Sequence, residues 1–123
     1  MAKSYILVVD DDETIRVLVE SILQKEGFET VAAENGKDCL EILKSAPPTA
    51  IILDWEMPEI DGLEVLKTIK ADRKMSAIPV MMLTSKNSID DVSECLEAGA
   101  NDYSAKPFDH NGFIMRVRKL LAG

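Results

Sequence analysis

The sequence predicts an α/β protein built on a five-stranded parallel sheet with helices on both faces. Short β-rich apolar runs alternate five times with segments of helical period, which is the signature of that layered arrangement. The unusual polar residues fall at the ends of the apolar runs, where an open parallel sheet presents its loops. Length agrees: 123 residues, 46% of them hydrophobic, suit one domain that builds its core without a disulfide or a structural metal.

The first strand, Tyr5 to Val9, leads into Ile15, Leu18, Val19, Ile22 and Leu23, an i, i+3, i+4, i+7, i+8 stripe on a helix that ends at Gly27. A weaker second strand spans Glu29 to Ala33 and closes at Asn35-Gly36. Leu40 and Leu43 then mark a short helix stopped by Pro47-Pro48. The third strand, Ala50 to Leu53, ends in Asp54. A loop with Trp55-Glu-Met-Pro58 and Asp61-Gly62 precedes a helix carrying Leu63, Leu66 and Ile69. Pro79 opens the fourth strand, Val80 to Leu83, and Thr84 terminates it. Ile89, Val92 and Leu96 mark the fourth helix, which stops at Gly99. A short strand around Tyr103 to Ala105 meets Lys106-Pro107, and the fifth helix carries Phe113, Ile114, Val117, Leu120 and Leu121. Met57, Met75, Met81, Met82, Met115 and Trp55 read as core and loop packing.

Composition excludes several classes of function. With 14 Lys+Arg against 22 Asp+Glu the net charge is −8, and an acidic surface repels phosphate backbones, so direct nucleic-acid binding is not expected. Cys39 and Cys95 lie far apart and His110 is the only histidine, which leaves no zinc spacing; His110 itself reads as a solvated residue. No apolar run approaches the roughly 20 residues of a bilayer span, and no signal-peptide pattern opens the chain. A cytoplasmic protein without membrane insertion is expected. Residues 1–123 read as one domain with no output domain, so that any output acts in trans.

Four strands deliver reactive or charged groups to one edge. Strand one exits into Asp10-Asp11-Asp12, strand three into Asp54, strand four into Thr84-Ser85, and strand five into Lys106. Two carboxylates about 4 Å apart repel by roughly 4 kcal/mol at an effective dielectric near 20, so Asp10, Asp11 and Asp54 need positive charge among them. Hard oxygen ligands point to Mg²⁺, which uses one or two carboxylates and keeps coordination positions for water or phosphate oxygens. Lys106 supplies the remaining charge. Asp12 is expected to cap the first helix rather than join the site.

These residues carry a family resemblance. Val8-Val9-Asp10-Asp11, Ile52-Leu53-Asp54-Trp55-Glu-Met-Pro58 with Asp61-Gly62, Leu83-Thr84-Ser85, Gly99-Ala-Asn-Asp-Tyr103 and Lys106-Pro107-Phe108 together resemble the receiver domain of two-component response regulators, chemotaxis-type and single-domain, over essentially the whole chain. The resemblance implies a flavodoxin-like, doubly wound sheet of order 2-1-3-4-5. It implies that Asp54 is the phospho-acceptor, taking the phosphoryl group from a phosphohistidine on a sensor histidine kinase or phosphotransfer protein. It further implies that Mg²⁺ is held by Asp11, Asp54 and the backbone carbonyl of Glu56, with Asp10 binding directly or through water. Lys106 would pair with Asp54 and then with a phosphoryl oxygen, Thr84 would donate its hydroxyl to another, and Thr84 and Tyr103 would act as the switch. The Lys106-Pro107 bond would be cis. Output would pass to a partner through the face of helix 4, strand 5 and helix 5, with Lys86, Ile89, Glu97, Asn101 and Tyr103 on or near it. Such a chain is a switch rather than an enzyme, catalysing only its own phosphoryl transfer and dephosphorylation. Glu56 and Lys86 flank the acceptor and could form an ion bridge over it.

Leu7-Val-Val-Asp10-Asp-Asp12-Glu-Thr14 also resembles the start of haloacid-dehalogenase-type phosphatases, which would make Asp10 the nucleophile and Asp12 the general acid. That family needs a further acidic pair after a strand downstream of the lysine, and here Pro107-Phe-Asp109 and a helix follow instead. A flavin-binding electron carrier would need a Gly/Ser/Thr-rich phosphate loop after strand one, where three aspartates would repel the phosphate. A receiver-like partner-binding module without phosphorylation is the remaining rival, and the intact Asp, Thr and Lys set argues against it.

Overall fold

The computed structural model describes residues 4–123. Strands and helices alternate along the chain as β1 (Ile6–Val9), α1 (Glu13–Lys25), β2 (Thr30–Ala33), α2 (Gly36–Ser45), β3 (Ala50–Asp54), α3 (Gly62–Ala71), β4 (Val80–Thr84), α4 (Ile89–Glu97), β5 (Asp102–Ala105) and α5 (His110–Ala122). The strands are all parallel in the order β2-β1-β3-β4-β5. The expected topology is therefore the observed one. Asp54 and Thr84 belong to their strands rather than following them.

Strand periodicity divides the core in two. Leu7, Val9, Ile51, Leu53, Val80 and Met82 face α2, α3 and α4, where Cys39, Leu43, Leu66, Ile69 and Cys95 meet them. The intervening residues Ile6, Val8, Ile52, Met81 and Leu83 face α1 and α5, packing on Val19, Leu23, Phe113, Val117 and Leu120. Both faces of β1, β3 and β4 are thus apolar, and only the strand ends are free to carry polar groups.

Each helix opens on a side chain that accepts main-chain N–H bonds: Asp12, Asn35, Asp61, Ser88 and Asp109. Asp12 thereby fills the capping role expected of it, with Oδ1 accepting from Thr14 N and Ile15 N.

Three expectations of burial fail. On α1, Leu18 is half exposed, because it lies about 100° around the helix from fully buried Val19 and so sits at the flank of the inward arc. The Ile89, Val92 and Leu96 stripe of α4 is not its inner face: Cys95 is the buried residue there and Val92 is half-buried, while Ile89 is 85% exposed and Leu96 48%. Met115 on α5, read as packing, is 72% exposed, because Phe113, Ile114 and Val117 take the inward positions. Met57, Met81, Met82 and Trp55 are buried as expected, and Met75 packs at the core margin. Among the described residues, no helix is long and apolar enough to cross a membrane.

Candidate functional site

The upper ends of β1, β3, β4 and β5 converge on one polar pocket. Asp10 and Asp54 are almost fully buried there and Thr84 completely so, whereas Asp11 is exposed at the mouth. Carboxylate oxygens of Asp10, Asp11 and Asp54 lie within 4.8 Å of one another. Lys106 enters from the β5–α5 loop, its ammonium donating to Asp10 Oδ2 at 2.9 Å and to Asp54 Oδ1 at 3.2 Å. The Lys106–Pro107 bond is cis, and Lys106 N donates to Thr84 O at 2.9 Å.

Electrostatically the pocket is dominated by negative charge. Burial, then the charge of Asp10, pushes the Asp54 carboxyl up to about 7 despite the opposing pull of Lys106, and Asp11 adds to the rise. Burial alone would lower Lys106, but its hydrogen bond to Asp10 and the charges of both aspartates leave it raised. One ammonium cannot balance three carboxylates. An oxygen-only set with an exposed member fits a hard divalent ion such as Mg²⁺, which keeps part of its water shell. Asp10 already has both carboxylate oxygens engaged, Oδ1 by Asp12 N at 2.9 Å and Oδ2 by Lys106.

The β3–α3 loop folds tightly over the end of β3. Gly62 N donates to Trp55 O at 2.7 Å, and a Cβ built on Gly62 would lie 2.0 Å from Asp54 O. Only glycine permits this approach. Trp55, buried directly after Asp54, has the Lys86 ammonium 5.1 Å above its ring. The Glu56 to Lys86 ion bridge considered from the sequence does not form. Glu56 Oε1 instead accepts from Ser85 Oγ at 3.0 Å, because Lys86 is drawn over the indole.

Thr84 Oγ1 accepts from Lys86 N at 3.0 Å, and half-buried Tyr103 donates its hydroxyl to Lys86 O. Lys86, Ile89, Glu97 and Asn101 are exposed, as expected for that face. Asn101 Oδ1 is nevertheless occupied, accepting from Val80 N at 3.0 Å and from Lys70 Nζ at 3.0 Å. His110 lies outside the pocket at the start of α5, 3.7 Å from Glu26. Sequence reasoning missed Gly62 as a steric requirement, Ser85 as the partner of Glu56, and Arg16, whose guanidinium donates to Asp10 O at 2.8 Å. The Asp61-Gly62 pair was a visible signal for the first. Side chains that reach back across a loop leave no periodic trace, so the others had none.

The haloacid-dehalogenase reading needs Asp12 free as a general acid, and here its Oδ1 is engaged by the α1 N-terminus. Comparison with known proteins agrees with the receiver resemblance. A family model described as the response regulator receiver domain matches residues 6–118. The chain is 41% identical over 119 residues to "Histidine kinase P4" of Formosa agariphila, covering 97% of this chain and 9% of that protein. It is 35% identical over 121 residues to the phosphate regulon transcriptional regulatory protein PhoB of Pseudomonas aeruginosa, covering 98% of this chain and 53% of that one. The chain therefore spans about half or less of the length of these curated relatives. Among solved structures, the Vibrio cholerae chemotaxis protein CheY4 superposes with a TM-score of 0.90 at 29% identity, over 97% of this chain and 99% of that one. The receiver domain of Francisella response regulator 1452 gives 0.90 at 31% identity, over 98% of each. With a family model spanning nearly all of the chain and its fold shared by those structures, the protein belongs to the response regulator receiver domain family, the phospho-accepting switch of two-component signalling.

Proposed function

We propose that Asp54 is the residue that takes up the phosphoryl group. One Asp54 carboxylate oxygen attacks the phosphorus of a phosphohistidine on a sensor histidine kinase or phosphotransfer protein. The P–N bond breaks, its electron pair stays on the imidazole nitrogen, and an acyl phosphate remains on Asp54. The observation that carries this is the meeting of Asp10, Asp11, Asp54 and Lys106 in one pocket at the sheet edge.

Asp11, Asp54 and the Glu56 backbone carbonyl would hold Mg²⁺, with Asp10 contributing through water because its carboxylate oxygens already accept from Asp12 N and Lys106. When bound, the ion neutralises charge on the phosphoryl oxygens. Lys106 passes from Asp54 to a phosphoryl oxygen, and the Thr84 hydroxyl turns to donate to another. Catalysis is then mostly positioning and charge balance, and the chain speeds only its own phosphorylation and dephosphorylation. Turning of Thr84 draws on Lys86 and, through it, on Tyr103, so that α4, β5 and α5 re-present their outer faces to an output protein. The exposed Ile89 and Leu96 on α4 suit such a contact. The reading carries a cytoplasmic location and no direct nucleic-acid contact, the latter in keeping with the net charge of −8.

Incubation with acetyl phosphate and Mg²⁺, followed by intact-mass analysis, tests the assignment. The wild type gains one phosphoryl group and Asp54→Asn gains none. Equal uptake by Asp54→Asn would place the acceptor elsewhere.

A further inference from the structure

We propose that Arg16 is a positioning residue for the acidic pair, holding the Asp10–Asp11 main chain so that both carboxylates face the ion. The inference rests on the pocket's being the Mg²⁺ site. Arg16 lies on α1 just past the Asp12 cap, and its side chain turns back to the sheet edge, where Nη1 donates to Asp10 O at 2.8 Å. Every other polar atom of Asp10 is also held. Its N–H donates to Ala33 O at 3.2 Å, Oδ1 accepts from Asp12 N and Oδ2 accepts from Lys106.

Asp11 is different. Its carboxylate is exposed and takes no hydrogen bond among the described residues, yet it lies with those of Asp10 and Asp54 within 4.8 Å. With no side-chain partner among the described residues to hold it, its reach into the pocket starts from where the main chain places its Cα. The peptide joining Asp10 to Asp11 is a rigid plane, so a donor that fixes the orientation of its carbonyl also fixes where the Asp11 Cα stands. Arg16 is that donor, through a single N–H.

A charge effect and a positioning effect have opposite signs here. Arg16 is permanently cationic, and a cation near an anionic metal site repels Mg²⁺. If charge were its main influence, removing it would tighten metal binding. If it positions Asp11, removing it loosens binding, by about tenfold on the scale of other residues that orient metal ligands.

Calorimetric titration of Mg²⁺ alone into the metal-free protein decides between them, using wild type, R16M, R16K and D11N. R16M is expected to bind Mg²⁺ about tenfold more weakly at a near-wild-type urea midpoint, and R16K, which keeps a donor of similar reach, recovers most of the loss. R16M binding as tightly as wild type or tighter overturns the inference, as does a loss that R16K fails to recover. Failure of the pocket reading looks different: the wild type then takes up no Mg²⁺, or D11N takes it up unchanged, and the role of Arg16 falls with it.

Discussion

Tyr103 donates its hydroxyl to the main-chain carbonyl of Lys86. The N–H of the same Lys86 donates to Thr84 Oγ1 at 3.0 Å, so one residue's two peptide groups join a buried hydroxyl at the acidic pocket to a half-buried aromatic on β5. Neither contact crosses more than one hydrogen bond, and any rotation of Thr84 must release or drag the β4–α4 loop.

Tyr103→Phe keeps the ring and removes this link. Because Lys86 is exposed and its carbonyl can turn to water, stability should change by about 1 kcal/mol or less in urea titration. Transmission should suffer more. With beryllofluoride and Mg²⁺, wild-type amide signals of Lys86, Ile89, Glu97 and Asn101 shift, whereas in Tyr103→Phe the shifts beyond Lys86 shrink. Equal shifts in both proteins would remove Tyr103 from the switch.

Gly62→Ala introduces a methyl group that would lie 2.0 Å from Asp54 O, against backbone that has no flexible end to give way. The variant should lose about 3 kcal/mol, the upper part of the range for overpacking, and should take up phosphoryl groups more slowly from acetyl phosphate. A near-neutral urea midpoint would mean that the β3–α3 loop relaxes freely.

Lys106→Met leaves Asp10 and Asp54 facing each other without their ammonium. In chelator at pH 8 the expected loss is about 3 kcal/mol, because removing one partner strands buried charge. The loss should be smaller at pH 6, where Asp54 can take a proton, and Mg²⁺ should restore part of it. Urea unfolding at the two pH values, with and without Mg²⁺, reads all three effects.

The raised pKa of Asp54 has its own signature. Native Asp54 titrates near 7 and an unfolded aspartate near 4, so between those values the native state holds a proton that the unfolded chain has lost. Its contribution to stability is full below about pH 4 and disappears as pH rises through 7. In chelator, wild-type stability should therefore fall relative to Asp54→Asn across that window, and the difference should flatten when Mg²⁺ is present. Parallel pH profiles for the two proteins would assign the titration to another group.

How much of this was legible beforehand depends on the kind of pattern that carried it. Asp10, Asp11, Asp54, Thr84 and Lys106 were readable because each stands at the end of an expected strand, and in a parallel sheet every strand ends at the same edge. Asp12 as a cap was readable from its place before a helical stripe. The inner face of α4 was misjudged because apolar spacing alone says nothing about which neighbour the helix meets. Cys95 turned inward, and Ile89 and Leu96 were left to solvent. The Glu56 and Lys86 bridge failed for a related reason, since charge proximity in sequence competes with partners that only folding brings near.

The order of residue types along the chain determined the alternating architecture, the two-sided core and the gathering of carboxylates at one edge, because hydrophobic period is a local property and the same strand–helix unit repeats along the chain. Tertiary structure alone decided that Lys106 reaches Asp10 as well as Asp54, that Arg16 grips the Asp10 carbonyl, that Gly62 lies against Asp54, and that Lys86 joins Thr84 to Tyr103. Each of those contacts depends on the distance and direction between two elements, and these are set by how whole helices and strands pack, a quantity that no stretch of neighbouring residues contains.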